Sequence, residues 1–468
     1  MKVAIAYLLL IFGLGTNYIF NISVARFLGP TSFGNFSYAL YLFNIFSLIA
    51  VFSLDQAALR FIPQTTSTRG IKSSIQLLSL VFGVIFSIIF ALTIFLFVEG
   101  ERAKLAYLFV LSIVPFVMLT VNVSILQAEH IVGPRMAFRY VIEPVVKLAL
   151  FLLLFHYFQS STSPVIALFL ALIITNIAAL ILYKNRFGSF DVRSLKEKFS
   201  NLFKFILPMS ASNTVGVVSG RMDVLILGTL VAASDLGYYS AAFQTAGIIT
   251  IVLQGIETVY ASIFSGHIGA ASFKALKEDY QRALRLAMLI SSPIIMVFVI
   301  YPELVMLPFG MEYQGAASIL AILCIGQFFN IALGSANAIL ILLGKTKIVL
   351  LISIVYVCIT AIFVSIGAYF SGALGAAIGV VGAIVVPNII RIYFVYKITK
   401  SHPFSLHYFK ILVALLLSSS IGLLGKSYFF YAGIVLFPTL FLIIVGCFGM
   451  HSEEKKIIKE IFTKLKIK

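Results

Sequence analysis

Arg139, Glu143 and Lys147 recur at every fourth position within an otherwise apolar stretch, so a helix through them carries one charged stripe. A charge near the centre of a bilayer costs about 2.5–3.5 kcal/mol, so such a side chain faces a cavity or a partner. The stripe is therefore either a cavity wall or a self-neutralised ion pair near the membrane rim. Pro144 inside it predicts a kink. Arg221 and Asp223 lie mid-stretch further on, beside Pro208, Gly216 and Gly220, which loosen a helix. Two positions on a helix are separated by roughly 200°, so this pair cannot share one partner. Arg60 ends another apolar stretch one turn after Gln56, and reads equally as an orientation charge or a ligand contact. Arg26 stands beside Gly29-Pro30. Arg26, Arg60, Lys147 and Arg221 suit an anion, and arginine's planar fork suits phosphate. Asp55, Glu143, Asp223 and Glu257 could pair with these cations or carry a coupling H+ or Na+. The sequence shows no nucleophile elbow, phosphate loop, metal-ligand spacing or other sign of a cofactor. The six histidines are scattered, and Cys324, Cys358 and Cys447 read as small packing residues.

Fourteen apolar stretches position these residues: 4–25, 34–57, 75–98, 105–127, 138–158, 164–183, 205–231, 238–264, 284–306, 316–343, 347–370, 373–396, 408–425 and 428–449. Each is long enough to cross a bilayer, which takes about 20 residues. With 61% hydrophobic and 11% charged residues, the chain predicts an all-α polytopic membrane protein. The largest loop, 184–204, is too short for a folded domain. It reads as a basic amphipathic surface helix, as does the tail 450–468.

The basic residues alternate with the spans. If Lys2 and the C-terminus are cytoplasmic, the outer side receives only Arg26, Arg102, Lys104 and Lys426, and Lys147 and Arg221 lie inside spans. The remaining Lys and Arg fall on the cytoplasmic side, as the positive-inside rule requires for an even number of spans. The net charge of +17 is thus a matter of orientation and anionic lipid, with no indication of nucleic acid. Arg102, in an outer loop, is expected to be inert.

Phe33-Gly34-Asn35-Phe36-Ser37-Tyr38-Ala39 opens the second span, and Leu236-Gly237-Tyr238-Tyr239-Ser240-Ala241-Ala242 opens the eighth. Leu-Gly precedes each, and an acid follows each by about twenty residues, Asp55 and Glu257. Copies six spans apart share one orientation. They imply two pseudo-symmetric six-helix lobes, 1–183 and 205–396, joined by the linker 184–204, with substrate between them. Two further helices at 397–449 and the basic tail 450–468 lie outside the repeat. Gly375 and Gly379 mark close helix packing in the twelfth span.

Ser23-Val24-Ala25-Arg26-Phe27-Leu28-Gly29-Pro30, Phe33-Gly34 and Ala58-Leu59-Arg60-Phe61-Ile62 resemble the polysaccharide transporter family, the Wzx-type O-antigen flippases. Arg221-Met222-Asp223, Leu227-Gly228 and Leu236–Ala242 resemble that family's second lobe, so the likeness covers essentially the whole chain. The resemblance implies the multidrug/oligosaccharidyl-lipid/polysaccharide (MOP) exporter fold. It also implies movement of an undecaprenyl-diphosphate-linked oligosaccharide to the outer leaflet of the cytoplasmic membrane, alongside other polysaccharide assembly proteins. On that reading Tyr18, Tyr38, Tyr41, Tyr140, Tyr238 and Tyr239 are candidates to stack on sugar rings, or interface anchors. MATE drug exporters and lipid II flippases share the fold. A drug exporter usually has twelve spans, and a membrane polymerase or ligase needs a sizeable outer loop that this chain lacks. A transporter, not an enzyme, is expected.

The orientation is testable by scanning single cysteines through a cysteine-free background. Cysteines at Glu101 and Tyr428 should react with an impermeant thiol reagent added outside intact cells, and one at Ser194 should not. Labelling of Ser194 from outside reverses the topology.

Overall fold

The computed structural model describes residues 2–64, 68–129, 132–187, 199–426 and 430–446, and they contain no strand. Most of the predicted linker helix and the whole predicted tail helix lie outside the described residues. In lipid no water is available to the backbone, so each spanning segment must close its own hydrogen bonds, and the helix does so.

The chain falls into two compact units, Met1–Ser240 and Ala241–Lys468. The first contains α1 (Lys2–Ala50), α2 (Leu54–Phe61), α3 (Thr68–Phe97), α4 (Gly100–Ala128) and α5 (Val132–Ala137). A π-helical turn, Phe138–Ile142, leads to α6 (Glu143–Phe158), α7 (Ser163–Phe187), α8 (Phe199–Ser219) and α9 (Met222–Leu230). The unit boundary falls within α10 (Ala233–Gly247). The second unit continues with α11 (Thr250–Gly269), α12 (Phe273–Ile300) and α13 (Pro302–Met306), then two 3-10 turns. It ends with α14 (Ala317–Ala332), α15 (Ala336–Leu342), α16 (Thr346–Thr399), α17 (Leu406–Gly425) and α18 (Phe430–Ile444).

Each of the fourteen apolar stretches has a helical counterpart, and the protein is a multi-pass membrane protein of all-α class. Two pairs of neighbouring spans run on as continuous assignments. At 1.5 Å per residue, the 54 residues of α16 would reach about 81 Å, far beyond a hydrocarbon core of about 30 Å. The helix folds back on itself at Ser371 and Gly372, where Gly372 takes φ 56°, ψ −137°. In α1 the reversal comes at Gly29, φ 74°, and Pro30 starts the returning helix with a residue that needs no N–H partner.

Other spans break mid-course. Phe52 and Ser53 adopt left-handed backbone between α1 and α2, and Ser335 does so between α14 and α15. Such conformations cost non-glycine residues about 1–3 kcal/mol and persist only where the surroundings enforce them. The seventh span divides at Gly220–Arg221 into α8 and α9, and the eighth loosens between α10 and α11.

Helices in lipid gain little from hydrophobicity alone and rely on close packing and hydrogen bonds. In the first unit α4 is central, packed by α1, α3 and α7. Phe43 stacks on Phe109 with ring centres 5.1 Å apart and meets Phe116 edge-on at 5.7 Å, while Phe20 meets Phe151 at 5.5 Å. A buried amide row crosses the same core: Gln76 donates to Asn122 (2.8 Å), which donates to Asn176 (3.0 Å), tying α3, α4 and α7 together. Lys72 pairs with Glu129 at one end of α3 and α4. Helices α8 and α9 pack on α1 within this unit.

In the second unit α12 is central, packed by α11, α14, α17 and α18. Gln281 donates to the carbonyls of His402 and Phe404, and Arg285 to Ser405, so the segment entering α17 is pinned to α12. The two halves of α16 pack backbone to backbone. A methyl group at Gly367 would strike the Gly375 carbonyl, one at Gly375 the Gly367 carbonyl, and one at Gly379 the Phe363 carbonyl. This is the close packing that Gly375 and Gly379 predict. Gly375→Val should therefore lower the thermal midpoint of the detergent-purified protein by the equivalent of about 1–3 kcal/mol. Gly15→Ala, in a helix with nothing within 4 Å, should leave it unchanged or raise it. Equal midpoints for Gly375→Val and wild type would show that the hairpin halves do not rely on this contact.

Candidate functional site

The candidate cations of the first unit are built around α1. A methyl group at Gly13 would strike the backbone of Tyr140, so α1 lies directly on the π-helical turn. That turn inserts an extra residue ahead of Pro144 and re-aims the helix that follows. One helical turn beyond Gly13, Asn17 accepts a hydrogen bond from the Lys147 ammonium, which also lies 4.7 Å from the centre of the Phe20 ring. Lys147 is 6% exposed. Arg139 pairs with Glu143 at 3.0 Å and lies over Phe116 at 4.7 Å. The charged stripe thus divides into an ion pair, Arg139–Glu143, and a buried cation, Lys147, held by a neutral amide and a ring.

Arg221 stands at the break between α8 and α9, with φ −141°, ψ 5°. Its guanidinium lies 5.3 Å from the centre of the Tyr41 ring on the returning half of α1. Asp223, 5% exposed in the first turn of α9, accepts a 2.6 Å hydrogen bond from the Tyr239 hydroxyl. The two residues take separate partners, and the break at Arg221, not a regular helical turn, sets their directions. None of the described ion pairs includes Lys147 or Arg221.

Arg60 is exposed and stacks over Phe205 at 4.5 Å and Phe61 at 5.6 Å, joining α2 to α8. Asn213 of α8 donates to the Ser53 hydroxyl at 2.9 Å, bracing the left-handed break that places Asp55 in the first turn of α2. Arg26 is exposed near the Gly29 reversal. Glu257 belongs to the second unit, on α11, beside Ser335, with Arg391 near enough to act on it electrostatically. The candidates therefore form separate local groups, with Lys147 and Arg221 both resting on α1. Among the described residues no three metal-binding side chains gather.

Two expectations change. Tyr38, Tyr41 and Tyr239 are buried and already engaged, by Arg102, Arg221 and Asp223, so they offer no ring face to a sugar. Tyr18, Tyr140 and Tyr238 are only partly buried. Arg102 is not an inert loop residue. It donates to the Asn35 amide oxygen (3.1 Å) and to the carbonyls of Gly228 and Val231, and lies over Tyr38 at 5.4 Å. It satisfies the last carbonyls of α9, which a helix cannot satisfy itself. Its position in the chain, just after a span end, gave no sign of partners more than a hundred residues away. Asn17 and Asn213 belong with these residues too, and an amide inside a span is itself the signal that marks them.

The chain matches the polysaccharide biosynthesis protein family over residues 2–265 and the MatE family over residues 208–366. A relative from Shigella flexneri named "Putative O-antigen transporter" is 25% identical over 345 residues, covering 70% of this chain and 81% of its own. The lipid II flippase MurJ in an inward closed conformation matches with a TM-score of 0.75 at 14% identity, over 95% of this chain and 98% of its own. An inward-facing multidrug resistance MATE family transporter of the MOP superfamily matches with a TM-score of 0.71 at 17% identity, over 82% and 94%. These likenesses place the chain in the MOP exporter fold.

Hydrogen bonds from a charged donor contribute about 1.5–3 kcal/mol each, so Arg102→Ala should lower the thermal midpoint measurably, with Arg102→Lys intermediate. Lys104→Ala, which removes only an exposed pair with Glu101, should change little. The two alanine variants unfolding together would remove the role assigned to Arg102.

Proposed function

We propose that this chain, which belongs to the polysaccharide biosynthesis protein family, is a flippase for an undecaprenyl-diphosphate-linked oligosaccharide. It moves that repeat unit across the cytoplasmic membrane by alternating access, for O-antigen, capsule or exopolysaccharide synthesis, with both termini cytoplasmic and without catalysing a reaction. The observation that carries the reading is the state of its deep cations. Lys147 and Arg221 rest against an amide and aromatic faces, and neither belongs to a described ion pair. A ring face offsets about 0.5–2 kcal/mol of a cation's burial. Two basic side chains this deep in hydrocarbon suit a diphosphate, whose oxygens would offset the cost of their burial through charge-assisted hydrogen bonds. The lipid tail stays in the bilayer, and anionic membrane lipids meet the basic loops.

Export of a cationic drug, or of lipid II, is the alternative within the fold, and the MatE match over 208–366 speaks for it. A cationic substrate would want an uncommitted acid. Glu143 is paired with Arg139, Asp223 is taken by Tyr239, and Glu257 lies beside Arg391 and Ser335. Those acids, with Asp55, are the groups proposed to carry any coupling H+ or Na+.

In cells that depend on this chain for surface glycan, Arg221→Ala should reduce export about tenfold or more at unchanged protein level, and Arg221→Lys less, because the fork of donors is lost but the charge is kept. Wild-type export by Arg221→Ala would remove the cationic mechanism at this residue.

A further inference from the structure

Within the second unit, Arg391 lies inside the second half of α16, eight residues before its end at Thr399 and so about 12 Å along the helix axis. A lone arginine at this depth would ordinarily extend toward the nearer water, here the end that carries Lys397 and Lys400. Arg391 turns the other way. One of its terminal nitrogens donates to Asn388, one turn deeper, at 3.1 Å. Asn388, 5% exposed, donates to Asn330 of α14 at 3.5 Å, and Asn330 donates to Gln327 at 3.3 Å. Every amide oxygen in this row is an acceptor already in use.

What the row leaves unspent is donors. The Arg391 Nε is buried and has no partner among the described residues. The Gln327 amide nitrogen, at the far end, donates to no described residue. Tyr356 and, after it, Glu257 act on the arginine electrostatically. Gln327 is only partly buried, but a buried donor such as the Arg391 Nε left unmade costs about 1–3 kcal/mol, more when charged, so the row awaits an acceptor at the arginine. The amide links are long, so the row can rearrange around a ligand at little cost.

We propose that Arg391, Asn388, Asn330 and Gln327 form a second contact for a phosphate-bearing lipid, with Arg391 taking phosphate oxygens and Gln327 an adjoining acceptor. Glu257 competes with the ligand for Arg391. The inference rests on the flippase reading but uses residues separate from Lys147 and Arg221.

The test is binding of undecaprenyl diphosphate to the purified full-length protein in detergent, with phosphatidylglycerol as competitor. Arg391→Ala should weaken binding about tenfold or more. Gln327→Glu keeps the shape but replaces a donor with a like charge, and should weaken binding about threefold or more. Glu257→Gln removes the competitor and should bind at least as tightly as wild type, a result that a purely structural Arg391–Glu257 pair would not give. If wild type binds and Arg391→Ala binds equally, the row is not a contact, while the flippase reading stands. If Arg391→Ala fails to fold, an unchanged affinity in Gln327→Glu overturns the proposal. Equal displacement by phosphatidylglycerol would make this a site for ordinary anionic lipid and overturn the substrate contact. If wild type does not bind undecaprenyl diphosphate, the flippase reading falls and the row falls with it.

Discussion

Hydrocarbon tolerates a charge only if something answers it, and this protein answers its cations in distinct ways. Near helix ends, Lys72 and Arg139 take carboxylates, Glu129 and Glu143. Arg102 takes backbone carbonyls at the end of α9. Lys147 and Arg221 take an amide or an aromatic face. The first two arrangements use up the cation's capacity for partners. The third gives it no described carboxylate partner, which makes little sense as mere stabilisation, since a well-packed apolar residue would avoid the cost of burial.

The same constraint governs the backbone. A break inside a span frees N–H and C=O groups that lipid cannot satisfy, so breaks occur only where other protein groups can reach them. Asn213 braces Ser53. Glu257 lies beside the break at Ser335. Gly220 and Arg221 interrupt the seventh span where Arg221 leaves the helix to meet Tyr41. Broken helices and candidate polar residues thus coincide along the spans, a pattern transporters use at their binding sites.

Much of this was legible in the sequence. The spans were, because the need for about 20 apolar residues leaves a strong periodic mark. So was the reversal between the eleventh and twelfth spans, marked only by Ser371–Gly372. Lys147, Arg221 and Asp223 were legible as polar residues in the wrong solvent. What was hidden was partnership across the chain. Arg102 reads as a loop residue until Gly228 and Val231 arrive from far along the sequence. Tyr38 and Tyr239 read as sugar-stacking candidates or interface anchors until Arg102 and Asp223 claim them. Arg391 was counted as an orientation charge because hydropathy places a residue along a helix axis but says nothing of which way its side chain turns.

The repeat joins these levels. Phe33-Gly34 and Leu236-Gly237 were visible as two similar strings, and similarity alone gives no physical reason for the glycines. The structure supplies one. A methyl group at Gly34 would strike the carbonyl of Ala233, and one at Gly237 would strike that of Pro30, so α1 and α10 cross backbone to backbone with each glycine admitting the other helix. The contact is reciprocal within the first unit. Beside this crossing lie Tyr38, stacked under Arg102, and Tyr239, bonded to Asp223, each within the same repeated string. The two similar strings thus meet at one helix crossing, and each carries a tyrosine that reaches a charged side chain. Either glycine replaced by a larger residue would push the helices apart and separate both pairs.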